Sequence, residues 1–302
     1  MLASIKNIHF IGIGGIGMSG IAELLHNQDF NITGSDLSKS SNVERLEKLG
    51  IQISIGHSAE NINELDLVVY SDAIPKDNCE LIETKKQNIL CYSRAKMISQ
   101  IAKLKSSTVA ISGTHGKTTT TSIIGSMLKD SDLDPTIAVG GVVKSINSNS
   151  VLGEGDVFVV EADEYNRSFL ELNPTIAVIN NIDLEHTDCY KDIDDLKETF
   201  LQFANSVPFY GAVSICKDSE NAASLINDID KPIFTYGIHS KDVDFRAEDI
   251  VQNNGNTTFT LVEKNQKHPI SMKLPGVYNV CLLYTSDAAD EGLGVDLGGR
   301  RI

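Results

Sequence analysis

Short apolar runs recur up to about position 100, at NIHFIGIG, NITGSD, IQISIG, LDLVVYS and NILCYS, with polar or helical stretches such as NVERLEKLG between them. Strands buried on both faces of a parallel sheet read as continuous apolar runs, and crossovers separate them. The pattern therefore predicts an α/β fold, with a Rossmann-like, doubly wound parallel sheet over residues 1–105. SRAKMISQIAKLK reads as the helix that closes this unit. A fresh β-run, STVAIS, then opens a second α/β domain over 106–280, with strands at DVFVVEA, PTIAVIN, GAVSIC and KPIFTYG and a helix at DIDDLKETFLQFANSV. From about 242 to 274 the segments shorten and alternate around the turn NNGN, which predicts a small antiparallel β region.

The first apolar run leads into IGIGGIGMSG, where Gly12, Gly14 and Gly17 have the G-x-G-x-x-G spacing. Asp36 ends the next run about twenty residues on, as the dinucleotide fingerprint requires. Physically the spacing says only that backbone N–H groups at a helix N-terminus can approach a diphosphate closely. A nicotinamide cofactor and a nucleotide-sugar satisfy it equally.

A second turn differs in kind. In TVAISGTHGKTTTTSIIGSMLKD an apolar run enters Gly113, Thr114, His115, Gly116, Lys117, Thr118 and Thr119, and a helical stretch follows. Such a turn suits a triphosphate. Backbone N–H groups cradle oxygens, Lys117 neutralises β/γ charge, and the Thr118 hydroxyl can enter the shell of Mg²⁺. The G-x-x-x-x-G-K-[ST] form is not met, because position 111 is Ile, so the loop is a shortened variant. Carboxylates follow where an α/β sheet binds ligands: DVFVVEADEY delivers Glu161, Asp163 and Glu164 to a strand end, as metal ligands or as helix-capping and solvated acids. PTIAVINN then brings Asn180, Asn181, Asp183, Glu185, His186 and Asp188 to the same side.

Composition narrows the partners. A formal charge of -15 on 302 residues argues against a nucleic-acid or anionic-membrane surface, so any bound anion is held by local geometry. Cys79, Cys91, Cys189, Cys216 and Cys281 are scattered without a C-x-x-C pair, which fits free thiols in a reducing cytoplasm. No apolar run approaches membrane-spanning length, and a cytoplasmic protein without membrane insertion is expected.

With GIGGIGMSGIAELL at 12–25, GTHGKTTTT at 113–121, EADEYNRSFL at 161–170 and NNIDLEHTD at 180–188, the chain resembles the Mur ligases of peptidoglycan synthesis. The likeness runs from about residue 5 to about 280 and is nearest to the branch that joins L-alanine to UDP-N-acetylmuramic acid. It implies ATP-dependent amide formation through an acyl phosphate, in the service of cell-wall assembly, cell shape and division. It also implies roles. Lys117 holds the β/γ-phosphates, Thr118 and Glu161 bind Mg²⁺, for which Mn²⁺ can substitute, and His186 binds a second metal. Residues 113–119 and Asn279 bind ATP, with His115 either a substrate or phosphate contact or a stabiliser of the turn. Gly14, Gly15, Ile16, Gly17, Met18 and Ser19 cradle the UDP diphosphate, and Asp36 lies near the uridine end.

Two departures stand out. In LPGVYNV, Tyr278 occupies the place of the family's histidine while Asn279 is retained. After Val280, CLLYTSDAADEGLGVDLGGRRI neither continues the expected helix nor resembles the family's third domain, so residues 281–302 read as an anomalous tail on a truncated ligase, inactive alone. Three rivals remain: a nicotinamide-dependent oxidoreductase, which leaves GTHGKTTTT unexplained; a P-loop regulatory NTPase, which explains only the second domain; and a Mur-type ligase for another amino acid or a peptide.

Overall fold

The computed structural model describes residues 5–280 except positions 132, 144–147, 254, 265 and 278. The chain forms two compact units, Met1–Leu104 with Ala138–Leu152, and Lys105–Ile137 with Gly153–Ile302. The tail 281–302 and Tyr278 lie outside the described residues.

In the first unit, β1 (Asn7–Ile11), β2 (Asn31–Asp36), β3 (Gln52–Ile55), β4 (Leu67–Tyr70) and β5 (Leu90–Ser93) form a wholly parallel sheet of order β3-β2-β1-β4-β5. Its crossovers include α1 (Ile16–His26), α2 (Ser41–Lys48) and α3 (Cys79–Lys86), and α4 (Arg94–Ala102) follows β5. Ile8, Phe10 and Ile11 on β1 are at most 1% exposed and His9 only 2%, so both faces of that strand are buried. The strand order reverses beside β1, so the glycine turn that follows it sits at a topological switch point. Side-chain caps fix two helix starts: Ser40 accepts the Val43 N–H before α2, and Asn78 accepts the Glu80 and Leu81 N–H groups before α3.

The second unit begins with β6 (Ser107–Ser112) and α5 (Lys117–Asp130). Strands β7 (Thr136–Val143) and β8 (Ser148–Val151) follow, and residues 138–152 group with the first unit, whereas the sequence pattern puts them in the second domain. There the buried Ser150 donates its hydroxyl to the Gly20 carbonyl of α1 at 2.9 Å. Gly140 and Gly141 interrupt the apolar pattern of β7, and β8 reads Ser-Asn-Ser-Val, so these strands carry little local signal. The chain continues through β9 (Val157–Glu161), β10 (Ile176–Ile179), α6 (Ile193–Asn205), β11 (Ala212–Cys216), α7 (Glu220–Ala223), β12 (Ile233–Gly237), β13 (Phe245–Asn253), β14 (Asn256–Glu263) and β15 (Gln266–Met272).

Within this unit eight strands follow the order β15-β14-β13-β12-β11-β10-β6-β9. The strands from β9 to β13 are parallel, while β13, β14 and β15 form the expected antiparallel region, with Asn253 opposite Asn256 across the NNGN turn. Register decides what meets at the sheet's C-terminal edge. Ile111 of β6 pairs with Glu161 of β9, and Ser112 pairs with Ile179 of β10, so three strands end level there. Phe169 stacks on Phe203 at 4.7 Å and meets Phe200 edge-on at 5.1 Å, fastening the segment after β9 to α6. Among the described residues no helix is long and apolar enough to cross a membrane.

Candidate active site

The turn after β1 is built on the end of β2. The Ser35 carbonyl accepts the N–H groups of Gly12 at 2.8 Å and Ile13 at 3.0 Å, and Asp36 Oδ2 accepts that of Gly14 at 2.8 Å. Asn42 Nδ2 holds the Gly14 carbonyl from the other side at 2.9 Å. A Cβ on Gly14 would come within 2.8 Å of both Asp36 Oδ2 and Val43 Cγ2, so the close approach demands glycine. These three successive amides are tied down within the turn, and α1 begins just beyond them with Gly15 as an N-cap that has no side-chain cap of its own.

The predicted residues of this turn differ in what they can offer. Gly15 and Ile16 are exposed. Met18 and Ser19 are buried, and Ser19 spends both its donors inside the helix start, its hydroxyl on the Ile16 carbonyl and its N–H on the Gly15 carbonyl, each at 2.9 Å. Asp36 accepts from the Ser38 N–H at 3.3 Å as well as from Gly14, so its carboxylate shapes the turn. Arg94, not flagged by the sequence pattern, lies against Gly17: its Nη1 would be 2.7 Å from a Cβ there. It brings a cation to the turn of an acidic chain, from a helix far along the sequence.

The second turn is framed by β10. The Thr114 N–H bonds the Asn181 carbonyl, the His115 N–H bonds Asn181 Oδ1 at 2.8 Å, and Asn181 Nδ2 returns a bond to the His115 carbonyl at 3.0 Å. The Thr114 hydroxyl bridges the backbone of Asp183, accepting from its N–H at 2.8 Å and donating to its carbonyl at 3.1 Å. A Cβ on Gly113 would fall 3.0–3.1 Å from Asn180 and Asn181. Below, Asn180 Nδ2 donates to Thr120 Oγ1 at 3.0 Å and the Tyr236 hydroxyl donates to Asn180 Oδ1, so α5 is locked to the strand end.

Lys117 begins α5, and its ammonium donates to the Gly113 carbonyl at 2.7 Å and to both oxygens of Glu164 at 2.8 and 2.9 Å. Glu164 is almost wholly buried. Burial pushes its carboxyl up and Lys117 pulls it back, with the balance above the usual carboxylate range. His186, at φ 54°, sets Nε2 3.5 Å from Glu164 Oε1 and packs edge-on to Tyr165 at 5.2 Å. Beside this group the Thr118 hydroxyl donates to Glu161 Oε2 at 3.0 Å. His115 is exposed, 3.8 Å from both Asp183 and Glu185.

The structure thus pairs Thr118 with Glu161, and both Lys117 and His186 with Glu164, while His115 faces a separate acidic pair. Among the described residues no three His, Cys, Asp or Glu side chains converge as a ready-made metal cluster. Asn279 Nδ2 donates to the Pro275 carbonyl at 2.7 Å, satisfied within its own turn. The sequence names Glu164 only as one acid among three at the strand end. Its pairing with Lys117 depends on β6 and β9 lying side by side, which no local pattern encodes.

Each of the two units carries a glycine turn that leads from a parallel strand into a helix at the C-terminal edge of its parallel strands, an α/β architecture with two such turns. The profile of the Mur ligase family, catalytic domain, matches residues 7–106, and that of the Mur ligase middle domain matches residues 111–281. The chain belongs to the Mur ligase family. It is 47% identical over 276 residues to the UDP-N-acetylmuramate--L-alanine ligase of Sulfurihydrogenibium sp., covering 91% of this chain and 60% of that protein. With the enzyme of the same name from Geotalea uraniireducens it is 47% identical over 281 residues, 93% of this chain and 61% of that one. The crystal structure of UDP-N-acetylmuramate-alanine ligase from Thermotoga maritima superposes with a TM-score of 0.85 at 28% identity, covering 98% of this chain and 67% of that one. The chain thus spans about 60% of the length of these curated relatives.

Proposed function

We propose that the chain carries the UDP-sugar and ATP sites of a cytoplasmic ligase that joins L-alanine to UDP-N-acetylmuramate. The observation that carries this reading is the Lys117, Thr118, Glu161 and Glu164 constellation at the second turn, in a chain whose curated relatives bear that enzyme's name. In this reading a carboxylate oxygen of the sugar's lactyl group attacks the γ-phosphorus of ATP, the bond to the β-phosphate oxygen breaks, and ADP leaves. The amine of L-alanine then adds to the acyl carbonyl, loses a proton, and expels phosphate as the amide forms.

Two anions meet in the first step, so the protein's task is neutralisation and positioning. Lys117, at the start of α5, supplies the cation for the β/γ-phosphates, and the N–H groups of 113–119 cradle them. Glu164 holds the ammonium in place until nucleotide arrives. The Thr118 hydroxyl and Glu161 carboxylate, 3.0 Å apart, are hard oxygen donors that fit Mg²⁺ or Mn²⁺, which keeps most of its shell from phosphate and water. We assign these two residues to the nucleotide's metal and His186 to a second one. Such ions neutralise phosphate charge when bound. The first turn receives the UDP diphosphate at the amides of the first turn of α1, with Arg94, which lies against Gly17, as a cation beside it. Asn279 is assigned to the adenine side.

Titration calorimetry of the 302-residue chain with UDP-N-acetylmuramate and with ATP tests the assignment. Saturable binding of both, with NADH ignored, is expected; binding of NADH in place of UDP-sugar defeats it. Phosphate release that needs UDP-N-acetylmuramate separates a ligase from a regulatory NTPase, and its dependence on alanine against other amino acids or peptides fixes the branch.

A further inference from the structure

The first turn stands on a buried polar network that the proposed reaction does not use. Glu80, on α3, is fully buried. Ser35 Oγ donates to its Oε2 at 2.6 Å, His57 Nδ1 lies 2.7 Å from the same oxygen, and Asn61 Nδ2 donates to Oε1 at 2.6 Å. His9, 2% exposed on β1, places Nε2 3.7 Å from Oε1, with no closer partner for that nitrogen among the described residues. So many donors on one carboxylate compensate its desolvation, but compensation alone does not explain where they sit.

Ser35 connects the network to the turn. Its hydroxyl is bound by Glu80 while its carbonyl accepts the Gly12 and Ile13 amides, and the next residue, Asp36, accepts the Gly14 amide. Three consecutive amides of the turn therefore hang from a strand end whose side chain is anchored from below. A site is accurate when the residues that shape it are themselves held in one rotamer.

We infer that Glu80 is a positioning residue for the first turn: acting through the Ser35 hydroxyl, it fixes the backbone of residues 12–14 so that the following helix start faces the diphosphate of a UDP-sugar. The inference rests on the reading of that turn as the UDP-sugar site. Loss of the anchor widens the range of turn conformations, so UDP-sugar affinity falls while the separate ATP site is untouched.

The test is calorimetric titration of UDP-N-acetylmuramate and of ATP into the wild-type chain, Glu80→Gln, Ser35→Ala and the double variant. A fall in UDP-sugar affinity of about tenfold or more is expected for each single variant, the size that follows from losing a hydrogen bond to a charged group. ATP affinity stays within about twofold, and the double variant is no weaker than the worse single one, because both changes break one link. Amide exchange at Gly12 and Ile13 quickens in both single variants. If Glu80→Gln does not fold, Ser35→Ala, which removes only a hydroxyl, carries the same expectation. Unchanged UDP-sugar affinity in a folded variant, or additive losses in the double one, overturns the inference. A wild-type chain that binds ATP but no UDP-sugar overturns the reading of the turn itself, and the inference with it.

Discussion

The two glycine turns of this chain occupy equivalent places, each after a buried parallel strand and before a helix, yet their chemistry is unlike. The first has no lysine; its floor is an acidic strand end, with Asp36 and the Ser35 carbonyl gripping three amides and Glu80 beneath. The second puts a lysine on the first residue of its helix, opposes it with a buried carboxylate, and sets a hydroxyl beside another. Glycine spacing alone reports that a phosphate can come close. Whether that phosphate is only held or is transferred is reported by the cations and oxygen donors around it.

The strongest way to break the contrast is Lys117→Ala. Removing the ammonium leaves the buried Glu164 with only the His186 imidazole, 3.5 Å away, beside it, which is expected to cost about 3 kcal/mol at neutral pH. ATP affinity is expected to fall by roughly two orders of magnitude, and UDP-sugar affinity to stay the same. Urea melts and paired titrations check this, and an equal loss at both sites would contradict the separation of the two turns.

Next comes pH, because the buried glutamates beneath the turns respond in opposite senses. Burial raises the Glu80 carboxyl, but His9, Ser35 and Asn61 more than offset it and bring the group down from its ordinary 4.5 to about 2. Its contribution, roughly 3 kcal/mol at most, is complete above pH 4.5 and is lost as pH falls towards 2. Glu164, raised by burial, contributes most below the ordinary carboxylate range and less as pH rises through its folded value. Urea midpoints followed from pH 7 to 3 should therefore decline less steeply in Glu80→Gln than in the wild type. An identical slope in both would remove Glu80 from the account.

A smaller effect is expected for Gly14→Ala. The added methyl meets Asp36 and Val43 at 2.8 Å, so a loss of about 2 kcal/mol and weaker UDP-sugar binding should appear, with ATP binding intact. Thermal melts and calorimetry decide it. The smallest serves as a control at the start of α6: Asp192 caps that helix by accepting the Asp195 N–H at 2.9 Å, and Asp192→Ala should cost about 1 kcal/mol without moving either affinity.

Legibility in the sequence followed the range of the interactions. The antiparallel region around NNGN and the parallel strands were readable because apolar period and turn residues are local signals. Strands β7 and β8 were not, since paired glycines interrupt β7, β8 is mostly polar, and residues 138–152 group with a unit that the chain had already left. At the first turn the sequence marked Met18 and Ser19 as ligand contacts, and their side chains prove to be buried. At the second it marked Lys117, Thr118 and Glu161, but gave no sign that Glu164 is the partner of Lys117.

What the sequence determined by itself was the α/β class, the position of both turns and the residue types that each presents, because strand, turn and helix are contiguous and their spacing is written in the chain. What only the tertiary structure decided was which groups face one another: Glu164 with Lys117, Glu80 with Ser35, Arg94 with Gly17. Those pairings depend on strand order and register, which bring together segments that are distant in sequence, and no periodicity within any one segment records them.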